Sequence, residues 1–318
     1  MALLTTTTGW FPKPAALKLA RWRLAEEEIE HHELQQAEER ATLDVLRLQQ
    51  DLGLDLLVDG QMDRGDMVTH FAERLDGFES GGLVRCYGNR YYRKPRIVDE
   101  VGRPRPLTVE RWKSAQAAAA RPVKAVITGP YTLMDWSFDE HYASRRDCCL
   151  ALAELMREEA EALLEAGAKE IQIDEPAISA RADEMGLAAE ALGRVTQNLR
   201  GRARTWTHLC YGDVGPVMRE ILALPVDGIL AELSESAVEA LLSMSRIPST
   251  LHFGAGVIDV ASPRVETPEE IRRRVEGLLE KIPADRLWLA PDAGLQALTG
   301  EQARAKLEAM VAAARSLG

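Results

Sequence analysis

The segment ARTWTHLCYGDVGPVMREILALPVDGILAEL, residues 203–233, holds two short apolar runs on either side of a helical stretch. Ala203–Leu209 and Gly228–Leu233 read as strands, and 215–224 between them reads as a helix. Their apolar content suits strands covered on both faces. The segment is therefore one βα repeat and the start of the next.

The same alternation continues in both directions. Further candidate strands are Leu3–Gly9, Leu54–Gly60, Val123–Gly129, Glu170–Glu175, Leu251–Val257 and Leu287–Pro291, which makes eight in all. Helical patterns lie between them at Ala15–Leu52 (one or two helices), Arg146–Ala166, 182–200, 235–244, 267–281 and 300–317. Thr267-Pro268-Glu269-Glu270 places a capping hydroxyl, a proline and two acids at a helix start, and Thr299 plays a similar capping part before Gly300-Glu301. Eight βα repeats in 318 residues predict an α/β fold, a (β/α)8 TIM barrel spanning 1–318 as a single domain. An open doubly wound sheet is the alternative, but the chain has no phosphate loop and no G-x-G-x-x-G after its first strand. Residues 77–106 break the rhythm with Gly, Tyr, Arg and Pro. They read as a long excursion after strand two, a hairpin over the barrel mouth.

Charge narrows the function classes. Lys+Arg 39 against Asp+Glu 50 gives a net charge of −11, which argues against a nucleic-acid or anionic-membrane partner, since both need a basic face. No run approaches the ~20 apolar residues of a membrane span. The start MALLTTTTGWFPKP lacks the pattern of a signal peptide. Cys86, Cys148, Cys149 and Cys210 form no disulfide framework, so a reducing cytoplasm is expected.

Barrel chemistry sits at the C-terminal strand ends. Those ends carry Trp10, Asp59-Gly60-Gln61, Gly129-Pro130 followed by Trp136, Asp174-Glu175, His208-Leu209-Cys210, Glu232, Asp259 and Asp292-Ala293-Gly294. Alternate residues of a strand point the same way, so His208 and Cys210 can reach one point, with Glu232 on the next strand. Imidazole, thiolate and carboxylate suit zinc with one open position; two packed core residues would give the same H-x-C pattern. Asp174 and Glu175 either bind a cationic group of a substrate or cap the next helix, and Asp259 poses the same choice. Trp136 is either a plug or a stacking platform for a flat ligand. Arg90, beside Tyr91-Tyr92, either meets a substrate anion or belongs to a solvated hairpin. His31-His32 and His141 read as surface residues, and Cys148-Cys149 as packing.

GWFPKP (9–14), DGQMDRGDMV (59–68), VITGPYTLMDWSF (126–138), IQIDEPA (171–177), THLCY (207–211), GILAELSES (228–236), GAGVIDVASP (254–263) and RLWLAPDAGL (286–295) occur in this order. Together they resemble the catalytic barrel of cobalamin-independent methionine synthase, and most of all its short, single-barrel members. The resemblance implies zinc held by His208, Cys210 and Glu232, with Ala293 at the family's fourth ligand, a cysteine. It also implies Asp174 on the amino group of homocysteine, and a methyl donor that is either a methyl-folate stacked on Trp136 or a methylcorrinoid, in the latter case with a corrinoid protein as partner.

Four further positions depart from the family. Gln61 replaces a Glu that also holds the homocysteine amine, and Trp10 replaces a small Ser. Ala261 replaces a His proposed as proton donor, and Ala180 an acid that touches the pterin. A neutral amide gives an ammonium group no charge-assisted bond. The expected function is zinc-dependent methyl or alkyl transfer to a thiol or similar small-molecule nucleophile other than homocysteine, in the chemistry of methionine biosynthesis. A metal-dependent lyase or hydrolase on the same barrel, or a non-catalytic ligand-binding relative, are the alternatives.

Overall fold

The computed structural model describes residues 3–86 and 90–317. Its strands are β1 (Leu4–Thr5), β2 (Asp76–Glu79), β3 (Leu83–Cys86), β4 (Arg90–Arg93), β5 (Arg96–Gly102), β6 (Ala125–Thr128), β7 (Phe138–Asp139), β8 (Glu170–Asp174), β9 (Arg204–Leu209), β10 (Gly228–Glu232), β11 (His252–Ile258) and β12 (Leu287–Pro291). Seven of them form a parallel sheet in the order β1-β12-β11-β10-β9-β8-β6. The gap between β1 and β6 is spanned by residues 56 and 57. Leu56 bridges to Thr6 and Leu57 to Val123, both parallel. Eight staves therefore close on themselves, with helices outside, as in a TIM barrel.

The expected second strand, Leu54–Gly60, is reduced to those two bridging residues. The reason lies in Gln49, which is fully buried in the preceding helix. Its amide donates to the carbonyl of Val58 at 2.7 Å and accepts the N–H of Val58 at 3.1 Å. A side chain has taken the backbone bonds that a neighbouring strand would have used. The helical stretch 15–52 divides into Ala15–Ala25 and His31–Leu52. The second begins with a Glu30/Glu33 capping box and ends on Gly53 in the left-handed conformation. The expected helix 215–224 is short, a 3₁₀ turn over Gly215–Val217 followed by Met218–Ile221. Thr267 and Thr299 each form a capping box with the residue three positions on.

Even-numbered residues of the staves face the inside. The registers pair Leu4 with Trp288, Gln172 with Trp206, Asp174 with His208, and Leu230 with both His208 and Gly254. Leu4, Leu56, Trp206, Leu230, Trp288 and Ala290 pack together as an interior cluster separate from the larger core. Trp206 and Trp288 meet edge to face at 5.2 Å. Odd-numbered neighbours such as Ile171, Ile229, Phe253 and Leu289 join the core shared with the helices. The β2–β5 segment stands outside the barrel. β2 pairs antiparallel with β5, β3 with β4, and β7 joins β5 in parallel. It docks on the loop after β6, where Tyr92 donates to the carbonyl of Trp136 at 3.3 Å.

Gly228 makes the interior tryptophan floor possible, because a Cβ there would stand 2.3 Å from the Trp206 ring. Gly228→Ala is expected to destabilise the barrel by about 1–3 kcal/mol through overpacking. A drop in the chemical unfolding midpoint checks this, and Gly228→Ala matching wild type would show that the floor can repack.

Candidate active site

The carboxylate of Asp174 closes β8 on the inner face and is almost fully buried. Its Oδ1 accepts from Gln172 Nε2 at 2.5 Å and lies 3.6 Å from His208 Nδ1. The Gln172 amide also donates to the Thr8 carbonyl at 2.7 Å. Nε2 of His208 lies 3.3 Å from the Asp292 carbonyl. Strands β1, β8, β9 and β12 are thus tied together at the mouth through three side chains.

Cys210 is buried beyond the end of β9. Burial, and then the carboxylates of Asp174, Asp292 and Glu232, push its thiol well above the usual range. Burial first, with Asp259 and Asp213, also raises the Glu232 carboxyl. Asp292 rises to about 7, again from burial first and then from Glu232 and Asp259. A cavity of about 610 Å³ is lined by Glu232, Asp259, Asp292, Arg273 and Arg274, among others. Asp259 reaches this cavity because the β11–β12 register shifts between Gly256 and Ile258. A bulge of this kind re-aims the residue that follows it. Its Oδ1 also accepts the N–H of Ala261 at 2.8 Å and of Ser262 at 3.2 Å. Among the described residues, no three His, Cys, Asp or Glu groups are gathered as a metal ion requires. Ala293 is buried and offers no donor.

Glu175 corrects an expectation. It does not share the mouth with Asp174, because consecutive strand residues face opposite ways. Its buried carboxylate accepts the N–H of Tyr131 at 3.0 Å, and the N–H and hydroxyl of Thr132 at 2.7 and 2.6 Å. It therefore caps the helix Pro130–Asp135 rather than contacting substrate. Trp136 is half-buried with Tyr92 beside it, ring centroids 6.5 Å apart. Trp10 is half-buried, and Lys13 Nζ sits 4.7 Å from its ring centroid. Gln61 is fully buried beside Gly9. Arg90 has its backbone in the β3–β4 hairpin, and its side chain lies outside the described residues.

Three groups were missed by reading strand ends alone. Gln172 is one, although its even number in IQID already placed it with Asp174. Lys124, a lone charge in the apolar run VKAVITG, is fully buried and donates to the Thr7 carbonyl at 2.9 Å. Burial lowers its pKa to about 7, against the opposing pull of Asp174 and Glu170. Lys306 pairs with Glu266 at 2.9 Å, both side chains sealed from solvent. Lys306 donates to the Asp259 carbonyl at 3.0 Å, and Glu266 accepts the Asp259 N–H at 3.0 Å. Nothing local in the sequence pairs residues 266 and 306.

The family described as "Cobalamin-independent synthase, Catalytic domain" matches residues 3–316. The chain belongs to this family. Among relatives, it is 37% identical over 325 residues to a 5-methyltetrahydropteroyltriglutamate–homocysteine methyltransferase of Mycobacterium leprae (strain TN), covering 99% of this chain and 43% of that protein. It is 36% identical over 326 residues to the protein of the same name in Streptomyces griseus, covering 99% and 42%. The chain thus spans less than half the length of these relatives. A solved B12-independent methionine synthase from Shewanella sp. W3-18-1, in complex with selenomethionine, superposes with a TM-score of 0.87 at 27% identity, covering 100% of this chain and 98% of that one. A putative vitamin-B12 independent methionine synthase from Listeria monocytogenes shares the fold, with a TM-score of 0.80 at 20% identity over 99% of each chain.

Two stability measurements check the buried charges around this family site. Lys306→Met leaves Glu266 buried without a cation and is expected to cost about 3–5 kcal/mol, read from denaturant unfolding; a loss under about 1 kcal/mol would make the clamp on Asp259 dispensable. For Lys124, the folded pKa lies below the unfolded value. Below pH 7 both states hold the proton, and the burial penalty is fully present. Between pH 7 and about 10.5 only the unfolded chain holds it, so stability rises with pH. Relative to Lys124→Met, wild-type stability should climb across that window by up to about 5 kcal/mol. Parallel stability profiles for the two proteins would refute the lowered pKa.

Proposed function

We propose that this barrel is a methyltransferase that moves a methyl group onto the sulfur of a small-molecule thiol. The observation that carries the reading is the buried Asp174–His208 pair at the mouth, with Cys210 and Glu232 on the adjoining strand ends. The names of the family relatives support the reaction type. In the transfer a sulfur–carbon bond forms, the bond from methyl carbon to the donor's nitrogen or cobalt breaks with its electron pair kept by the donor, and the thiol proton goes to the vacated folate nitrogen or, with the corrinoid, to solvent. Asp174 takes a hydrogen-bond donor of the acceptor molecule. The ring face of Trp136, with Tyr92 tilted beside it, would stack a methyl-folate, and a methylcorrinoid, free or protein-bound, is the other donor to be tested.

The same reading takes His208, Cys210 and Glu232 as zinc ligands. Their nitrogen, sulfur and carboxylate donors match zinc in kind. Their side chains are not gathered at one point, so ion binding has to draw them together. Zinc bound there would supply a Lewis acid that keeps a coordinated thiol ionised at neutral pH. The burial of Cys148, Cys149 and Cys210 as free thiols is consistent with a reducing cytoplasm. Gln61 and Trp10 support an acceptor other than homocysteine, since one contributes no charge and the other adds bulk.

Elemental analysis and product formation test this together. We expect about one zinc per chain, lost in His208→Ala and Cys210→Ala. A methylated thioether should form from 5-methyltetrahydrofolate or from methylcobalamin, and fall at least a hundredfold in Asp174→Asn. Absence of both zinc and methylated product with either donor overturns the proposal.

A further inference from the structure

The ion pair of Lys306 and Glu266 spans 2.9 Å, and its two side chains are 0% and 2% exposed. It joins the last helix, Gly300–Ser316, to the residue before the Thr267 cap. Breaking such a pair on one side is costly, because a buried charge is left alone. Replacing both partners with apolar residues of similar volume is not, because desolvation offsets the attraction within the pair. The pair therefore calls for a reason beyond stability.

Its geometry supplies one, since both groups converge on the main chain of Asp259. Lys306 Nζ donates to the Asp259 carbonyl at 3.0 Å, and also to the Arg264 carbonyl. Glu266 Oε1 accepts the Asp259 N–H at 3.0 Å, and Lys306 Nζ at 3.1 Å. Residues 259–265 belong to no helix or strand. No ladder fixes Asp259, and the pair takes over that task.

The side chain of Asp259 keeps one atom free. Its Oδ1 accepts the N–H groups of Ala261 and Ser262, whereas its Oδ2 accepts no hydrogen bond among the described residues. The carboxylate lines the mouth cavity together with Glu232 and Asp292. Three carboxylates on one cavity repel one another, so a loose segment would carry Asp259 away from the other two. A grip on the main chain opposes that drift without using the carboxylate itself.

Resting on the methyl-transfer reading above, we propose that Lys306 and Glu266 are positioning residues, which hold Asp259 so that its free carboxylate oxygen receives a hydrogen bond from a polar group of the acceptor molecule. The pair acts through Asp259 and touches no substrate, because both of its side chains are sealed.

Removing the whole pair separates position from stability. Lys306→Met/Glu266→Leu takes out both charges and is expected to unfold at the same denaturant concentration as wild type or a higher one. Deuterium uptake over residues 259–265 should nevertheless become at least about tenfold faster. With cysteamine as acceptor and methylcobalamin or 5-methyltetrahydrofolate as donor, KM for cysteamine should rise at least about tenfold, with kcat within about twofold of wild type. Asp259→Asn should give the same rise, and adding it to the double variant should give no further one. Glu266→Gln does the opposite. It removes the ion pair but keeps an oxygen for the Asp259 N–H, so stability falls while KM and deuterium uptake stay near wild type.

A double variant that unfolds well below wild type overturns the proposal, because the pair would then serve stability. Wild-type uptake or a wild-type KM in that variant overturns it too, as does a KM in Glu266→Gln that rises as far as in the double variant. Turnover with an unchanged KM in the double variant leaves methyl transfer standing. Should wild type methylate no thiol with either donor, the methyl-transfer reading falls, and uptake in the two variants still decides whether the pair holds Asp259.

Discussion

The parity of the parallel strands is the constraint on which the rest depends. In-register pairing carries even-numbered residues from strand to strand around the barrel, from Leu4 through Trp288 and Gly254 to Leu230, His208 and Asp174. A slip of one residue in any stave would turn its interior set outward. The interior tryptophan floor and the Asp174–His208 pair are two levels of the same alternation. The lower level packs apolar rings, and the upper level carries the polar groups of the mouth.

Most of the buried polar groups near that upper level are tied to a partner. Gln172 spans from the Thr8 carbonyl to Asp174, and Lys124 is tied to the Thr7 carbonyl. Lys306 and Glu266 hold both backbone groups of Asp259 from outside. Buried charges left unpaired would be expelled or neutralised. The carboxylates of Asp174, Asp292 and Glu232 crowd Cys210, and with burial they drive its thiol toward the neutral form. A crowded, partly unsatisfied mouth inside a well-tied frame is the pattern expected where ligand contacts complete the bonding.

Much of the fold was legible because its signals are local. Short apolar runs, helix caps at Thr267 and Thr299, and the ordered strand-end motifs all lie within a few residues of the feature they specify. His208, Cys210, Asp174 and Glu232 were placed at one rim by the same means. The second strand was over-read, because its apolar run looks like a strand while the buried Gln49 amide, nine residues away, takes the backbone bonds of Val58. Substrate contact and helix capping both stood open for Asp174 and Glu175 because the two acids were read together, whereas a strand sends them to opposite faces and Glu175 caps.

The sequence alone therefore determined the number and order of the βα repeats, the family, and that His208 and Cys210 point the same way. Hydrophobic period, capping and parity are properties of neighbouring residues, so they survive being read without coordinates. Tertiary structure decided what crosses between strands. The bulge after Gly256 turns Asp259 toward the cavity of Glu232 and Asp292, the Lys306–Glu266 pair steadies it, and the amide of Gln61 is sealed against Gly9 without a partner. Each of these depends on how distant segments register and how deeply they bury one another, which no local pattern encodes.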